Sequence, residues 1–274
     1  MSTSQQDKAE RFRAHHGSGT FVIANAWDGG SAKVLAGLGF KALATSSAAS
    51  AWTLGKIDGQ VTREEALTQA RTIASATTLP VAADLEKGFG DTPEAVAETI
   101  RLAAPTGLVG GSIEDASGDT RHPLYDPVLA AERVAAAAEA AHALPFPFTL
   151  TARAENYLNG KPDLDDTIRR LQAFERAGAD VLFAPGLPDL AAIRTVCSAV
   201  SRPVNFMVGI PGKSFTFAEL AAAGVRRISL ATSLYRAAMV GLMSAAREVS
   251  TRGTFGFVDN PVNKGELDAF LKGG

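Results

Sequence analysis

Eight short apolar segments alternate with helix-like segments along almost the whole chain. They are nearly continuous in apolar residues, which is typical of parallel strands buried on both faces. Eight strand–helix units in 274 residues predict a (β/α)8 TIM barrel, with a doubly wound sheet as the alternative. We expect one barrel domain over residues 1–274, with 250–274 as a C-terminal helical extension. The predicted strands are 21–26, 41–45, 81–85, 108–113, 147–152, 180–184, 203–207 and 225–230.

Three of these segments deliver charged residues at their carboxyl ends. Asp84 and Glu86 are two positions apart, so a strand would project both side chains from one face. Glu114 and Arg153 end two later segments. Active sites of such barrels lie at the carboxyl ends of the strands, so these side chains should meet there. Converging carboxylates suit a hard divalent cation, although capping or pairing with a lysine is the alternative role for Asp84.

A few polar residues elsewhere are further candidates. Ser46 and Ser47 follow the second predicted strand and could be helix caps or ligand contacts. Asn205 lies within an apolar strand, as either a barrel-interior hydrogen-bonding group or a ligand contact. His122, in a long loop, is the histidine most favoured for a functional role. The segment 209–214 resembles a phosphate-binding P-loop, but it has two residues where four are needed before Gly-Lys-Ser.

Composition excludes several classes of partner. The net charge of −2 gives no basic surface for nucleic acid or an anionic membrane. No apolar stretch approaches the ~20 residues that span a bilayer, and the N-terminus lacks a signal-peptide core. The single Cys197 cannot form an internal disulfide, which fits a reducing compartment. We therefore expect a cytoplasmic protein that binds neither nucleic acid nor membrane.

The order and spacing of the motifs resemble the isocitrate lyase/phosphoenolpyruvate mutase superfamily over nearly the whole chain. The segments that carry the resemblance are Trp27-Asp28-Gly29-Gly30-Ser31-Ala32, Gly39-Phe40-Lys41-Ala42, Thr45-Ser46-Ser47, Leu54-Gly55-x-x-Asp58, Asp84-x-Glu86-x-Gly88-x-Gly90, Ser112-Ile113-Glu114-Asp115 and Thr151-Ala152-Arg153. The resemblance implies a (β/α)8 barrel, often with the last helix swapped between the subunits of a homodimer or homotetramer.

The same resemblance implies a metal and a substrate. Mg2+, or Mn2+ in its place, would be held by Asp84, with Glu86 and Glu114 acting largely through water. A small-molecule 2-oxo acid would bind through its carboxylate, and Asp58 would lie beside the reacting centre. The groups implied to bind that carboxylate are Ser46, Ser47, Ala48 and Arg153. Glu86 stands where Asp is common, so its contact with the metal or its water shell could differ.

The loop after Asp115 departs from the family pattern. The isocitrate and methylisocitrate lyases carry a catalytic cysteine there, in a Lys-Lys/Arg-Cys-Gly-His motif, and residues 116–125 contain no cysteine. The lysine- and asparagine-containing loop of the phosphonate mutases is also absent. The chain is more similar to members that act on short 2-oxo acids such as oxaloacetate. The loop 115–127 is long enough to be a lid that orders when ligand binds.

These residues predict a Mg2+-dependent carbon–carbon lyase or decarboxylase. A 2-oxo carboxylate can chelate Mg2+, which then stabilises the enolate formed by bond cleavage. Arg153 adds a fixed positive charge, and His122, Tyr125 or water would protonate the enolate. The alternatives are a P–C bond mutase or hydrolase acting on phosphonopyruvate, and a 2-oxo acid binding protein without activity.

Overall fold

Eight parallel strands close into a barrel in their sequence order, which confirms the predicted TIM barrel and excludes the doubly wound sheet. The computed structural model describes residues 3–213, 215–259 and 261–273. Pairing of Ile23 with Ser229 closes the ring between the first and last strands. The strands are β1 (Phe21–Asn25), β2 (Ala42–Ala44), β3 (Val81–Asp84), β4 (Gly110–Glu114), β5 (Thr149–Arg153), β6 (Val181–Phe183), β7 (Val204–Met207) and β8 (Arg227–Ser229).

Helices alternate with the strands, and several of them pack against the outer face of the barrel. They are α1 (Gln5–Gly17), α2 (Gly29–Gly37), α3 (Ser47–Thr53), α4 (Arg63–Ser75), α5 (Pro93–Ala103), α6 (Pro127–His142), α7 (Leu164–Arg176), α8 (Leu190–Ala199), α9 (Phe217–Ala222), α10 (Ser233–Arg252) and α11 (Lys264–Lys272). The sequence predicted no helix at α3. It has only seven residues, mostly small ones, and so gives little periodic signal.

The apolar core has two parts. The larger one lies between the strands and the helices, with fully buried Leu43, Ile100 and Leu150 among its members. The smaller one lies around Phe12 of α1, which packs with Ile23 and residues of neighbouring strands. Since Phe12 is completely buried, α1 seals one end of the barrel interior. The functional cavity is therefore confined to the other end.

The C-terminal helices differ in how they attach to the barrel. No residue of α10 is buried, and Val240 and Leu242 are 68% and 60% exposed. In contrast, α11 packs on α2, where Phe270 lies directly over Gly37 and leaves no room for a side chain there. None of the helices in the described part of the chain is both long and apolar enough to cross a membrane.

Candidate active site

A cavity of about 250 Å³ lies at the carboxyl ends of the strands, where the sequence predicted the site. It brings together most of the predicted residues, although these are far apart in the chain. The predicted residues among its lining are Ser46, Ser47, Ala48, Asp58, Asp84, Arg153 and Asn205. The cavity is therefore the candidate active site.

Arg153, at the end of β5, is the centre of a buried ion-pair network. Its Nη1 lies 3.0 Å from Oδ1 of Asp84, and its Nη2 lies 3.3 Å from Oε2 of Glu114. Its Nε donates to Oε1 of Glu155 at 2.8 Å. The guanidinium also lies over the ring of Phe183, 5.0 Å from its centroid. Burial alone would lower the pKa of Arg153, but the three acids together outweigh it and hold this pKa well above its usual range.

Asp84 is held in place by contacts from two other strands and from the start of α3. Besides Arg153, its Oδ1 accepts from the Ser112 hydroxyl at 3.4 Å, and its Oδ2 accepts from the backbone N–H of Ser47 at 3.3 Å. Ser46 caps α3 by accepting from the backbone N–H of Ala49 at 3.5 Å. The cap sets where α3 begins and so aims the Ser47 amide at the cavity.

Glu86 reaches the site by a different route from the one predicted. The strand β3 ends at Asp84, and Glu86 lies in the following turn in the left-handed region, with φ 51°. The prediction that Asp84 and Glu86 project from one face of a strand was therefore wrong. The two carboxylates nevertheless interact, because burial together with the negative charges of Asp84 and Asp58 raises the pKa of Glu86 to about 7.

The turn that carries Glu86 is fixed by a buried arginine of α6. Arg133 donates from Nη1 to the Gly90 carbonyl at 2.8 Å and from Nη2 to the Lys87 carbonyl. Its guanidinium lies 4.1 Å from the centroid of the Tyr125 ring. The sequence gave no signal for this contact, since an arginine in an alanine-rich helix is normally exposed.

The carboxylates of the site carry more negative charge than Arg153 balances. Burial raises the pKa of Glu114, and also that of Glu155. Burial raises the pKa of Asp58 too, against the effect of a hydrogen bond from Ser47. In each case, burial and neighbouring acids disfavour the charged form, which a bound cation would reverse.

This arrangement fits a hard divalent cation. Asp84, Glu86 and Glu114 offer only carboxylate oxygens, the donors that Mg2+ and Mn2+ prefer. Among residues 3–213, 215–259 and 261–273, no three His, Cys, Asp or Glu side chains converge closely enough to hold an ion by themselves. Mg2+ usually keeps several waters and binds through one or two carboxylates. The donors therefore fit an ion bound partly through water, and of the three it is Asp84 that lines the cavity.

The two predicted proton donors do not line this cavity. His122 is exposed and borders a separate hollow with Asn156 and Lys161. The Tyr125 hydroxyl is already used, since it donates to Oδ1 of Asp91 at 2.6 Å, and burial raises its pKa. A role for His122 stays a prediction that requires the loop 115–127 to move.

The sequence analysis did not identify the residues that hydrogen-bond to the partners of Arg153. Asp115 accepts from the backbone N–H of Glu155 at 2.8 Å and from Nη1 of Arg170 at 3.0 Å. Burial raises the pKa of Asp115 to about 6, and these two donors oppose the shift. Only one signal was available: Glu155 lies two positions after Arg153, as Glu86 does after Asp84.

The side chain of Asn205 forms hydrogen bonds inside the barrel. Its Nδ2 donates to the Ser229 hydroxyl at 3.0 Å, and its Oδ1 accepts from Nε of Arg227 at 2.8 Å. Of the two roles open from the sequence, the interior hydrogen bonds are present. Contact with a ligand stays a prediction. Arg227, which the sequence analysis did not single out, also lines the cavity.

Comparison with known proteins identifies the family. Residues 12–250 match the model of the phosphoenolpyruvate phosphomutase family. Escherichia coli 2-methylisocitrate lyase is 32% identical over 68% of this chain and 65% of its own length. Oxaloacetate decarboxylase 2 of Pseudomonas putida is 28% identical over 83% of this chain and 76% of its own.

Solved structures share the fold of this chain. A candidate lyase or mutase of Burkholderia cenocepacia J2315 is 50% identical to this chain. The superposition covers 97% of this chain and 96% of the Burkholderia chain, with a TM-score of 0.95. The structure of 2,3-dimethylmalate lyase, a PEP mutase/isocitrate lyase superfamily member, is 25% identical over 96% of this chain and 94% of that one, with a TM-score of 0.86. The chain belongs to the phosphoenolpyruvate mutase family, within the PEP mutase/isocitrate lyase superfamily.

Proposed function

We propose that the protein is a Mg2+-dependent carbon–carbon lyase or decarboxylase that acts on a short 2-oxo acid resembling oxaloacetate. The observation that carries the proposal is the cavity in which Arg153 and Asp84 meet at the ends of β5 and β3. The similarity to a relative named oxaloacetate decarboxylase supports this choice of substrate. A cytoplasmic location and a homodimer or homotetramer are parts of the same proposal.

The chain's residues would bind and orient the substrate. Arg153 would offer a guanidinium to the substrate carboxylate, and the backbone amides of Ser47 and Ala48, which line the same cavity, would donate to it. Asp84 would hold the metal, with Glu86 and Glu114 binding its water ligands. Asp58, which lines the cavity, would lie beside the reacting carbon. When bound, Mg2+ supplies Lewis-acid stabilisation of negative charge on the substrate's keto oxygen.

Cleavage needs no acid from the protein, and protonation of the product requires only a donor at the cavity mouth. Residues 116–125 contain no cysteine, so the chain lacks the group that the cysteine-dependent lyases of the superfamily use. Water can reach the cavity in the conformation described, and His122 would become a donor if the loop 115–127 closed. Decarboxylation and retro-aldol cleavage both fit this set of groups.

A second candidate is cleavage or transfer at a P–C bond, with phosphonopyruvate as substrate. The family model, described as phosphoenolpyruvate phosphomutase, favours it. The substrate would bind through the same carboxylate and keto groups, so the cavity suits both reactions. Phosphate release from phosphonopyruvate, which a carbon–carbon lyase does not give, separates a P–C hydrolase from the lyase. Conversion to phosphoenolpyruvate identifies a mutase. A third possibility, binding without activity, predicts no turnover of either compound.

The direct test is pyruvate formation from oxaloacetate, with Mg2+ and after chelation, corrected for the reaction catalysed by Mg2+ alone. Turnover should depend on the metal and fall at least about a hundredfold in Asp84→Asn, because the carboxylate that lines the cavity is lost. Asp165→Asn, an exposed acidic residue in the first turn of α7, is the matched control and should leave turnover unchanged. Full activity in Asp84→Asn, or after chelation, would refute the proposal.

A further inference from the structure

Within the residues that the structure describes, Arg227 is a buried cation without an anionic partner. It lies on β8 and is only 6% exposed. No carboxylate forms an ion pair with it in the described part of the chain, and burial alone lowers its pKa to about 9. An unpaired charge in a protein interior is costly, and proteins normally retain one only where a partner or ligand balances it.

The groups around Arg227 orient the guanidinium without neutralising it. In addition to its hydrogen bond with Asn205, Arg227 donates from Nη2 to the Thr151 hydroxyl at 3.0 Å. Its Nη1 lies 3.4 Å from Nε2 of His16, whose Nδ1 lies 2.8 Å from the Phe12 carbonyl. A carbonyl can only accept, so Nδ1 of His16 carries the proton and Nε2 accepts. His16 is therefore neutral, and all three partners of Arg227 are uncharged.

The cavity extends from the carboxylate cluster to Arg227. Both Arg153 and Arg227 line it, together with the small residues Ala44 and Ala82. Thr151, which accepts from Arg227, and Arg153 lie two residues apart on β5 and face the same side. Their side chains are thus about 7 Å apart along the strand, a distance that a short diacid can span. The two guanidinium groups occupy successive layers of one interior.

We propose that Arg227 binds a second anionic group of the substrate, so that the cavity selects short dicarboxylates over monocarboxylates. One carboxylate would lie at Arg153 and the metal, and the other would reach down to Arg227, Thr151 and Ser229. This inference rests on the proposed function for the position of the first carboxylate. It adds a second point of recognition and so defines the class of substrate.

Binding of succinate and of succinamate, its mono-amide, tests the proposal without any turnover. The two probes have nearly the same shape, but only succinate carries two negative charges. Calorimetric titration of the wild-type protein with Mg2+ present should show succinate binding at least about tenfold more tightly, the effect of one hydrogen-bonded charge. Equal affinities in the wild-type protein would overturn the proposal.

Variants then assign the preference to Arg227. In Arg227→Met the ratio of the two affinities should fall to within about twofold, whereas Arg227→Lys keeps the charge and should retain part of the preference. The matched control is Arg226→Met, since Arg226 is the adjacent exposed arginine and should leave the ratio unchanged. Circular dichroism checks that each variant is folded. If Arg227→Met does not fold, Arg227→Lys and the wild-type comparison still decide.

The outcomes also separate this proposal from the lyase reaction. An unchanged tenfold preference in folded Arg227→Met would show that the second carboxylate binds elsewhere, which overturns the assignment. If oxaloacetate is not turned over, but succinate is preferred through Arg227, the lyase proposal alone fails. If oxaloacetate is turned over and succinate is not preferred, the role of Arg227 alone fails.

Discussion

Arg153 touches three carboxylates, and Glu155 is the one that holds its Nε. We expect Glu155→Ala to lower kcat about ten- to a hundredfold, because the guanidinium loses the contact that orients it toward the cavity. Glu155→Gln retains an oxygen that accepts from Nε, so it should lose less. Steady-state pyruvate formation measures both. An unchanged kcat in Glu155→Ala would contradict an orienting role.

His16 should make the stability of the protein depend on pH. Burial, together with the positive charges of Arg227 and His15, lowers its pKa to about 3. The unfolded chain, with a pKa near 6.5, therefore binds a proton that the folded protein does not. The stabilisation is complete above pH 6.5 and is lost as pH falls toward 3. Between pH 7.5 and 5.5 the free energy of unfolding should decrease by about 1.4 kcal/mol from this group.

Urea unfolding at these two pH values, on the wild-type protein and on His16→Gln, isolates the effect. Gln keeps an acceptor for Arg227 but does not titrate. The wild-type protein should therefore lose about 1.4 kcal/mol more than the variant. Acids with a raised pKa, such as Glu86, occur in both proteins and cancel in the difference. The same pH dependence in both proteins would mean that His16 is not held neutral.

At the scale of elements, the loop 115–127 is fixed near both ends and folds on itself at its tip, where the backbone N–H of Ser117 donates to the Pro123 carbonyl at 2.9 Å. Arg170 donates from Nη1 to the Tyr125 carbonyl at 3.0 Å, and the backbone N–H of Tyr125 donates to the Asp115 carbonyl at 2.9 Å. Of the residues between, Gly118, Thr120, Arg121 and His122 are exposed, and the others are half-buried. Any closing motion must therefore take place in the tip.

We expect the tip to close over the bound substrate. Cleavage by trypsin after Arg121 should become severalfold slower with Mg2+ and succinate, because a closed loop is less accessible. Arg252, at the exposed end of α10, serves as an internal control whose cleavage should not change. Equal cleavage after Arg121 with and without ligand would show that the loop is not a lid and would leave His122 without a role.

The sequence predicted the secondary-structure elements better than the contacts between side chains. All eight strands could be found because most of them lie in nearly continuous apolar runs, and the charged residues at their ends followed from the barrel geometry. The roles of Arg133 and Arg227 could not be found, since a residue's burial depends on partners far away in the chain. Glu86 shows the limit of pattern reasoning, because β3 ends two residues before it and the turn decides its direction.

At the scale of the whole molecule, α10 presents an apolar surface that nothing in the described chain covers. Val240 and Met243 lie one helical turn apart and are 68% and 44% exposed. We expect a homodimer or homotetramer in which this surface is buried. Light scattering after size exclusion should show the oligomer, and the double variant Val240→Glu, Met243→Glu should shift it to a smaller species. Ser250→Glu, on the same helix, should not.

Closure of the ring also sets when the protein can first bind a ligand during its synthesis. Asn25 of β1 accepts at Oδ1 from the backbone N–H of Leu230, a residue 205 positions later. Contacts of such long range form late, because the intervening chain must be ordered first. On the ribosome, the first strands emerge without the partner that completes the cavity wall. Binding of a diacid to nascent chains of increasing length would therefore report the moment at which the barrel is complete.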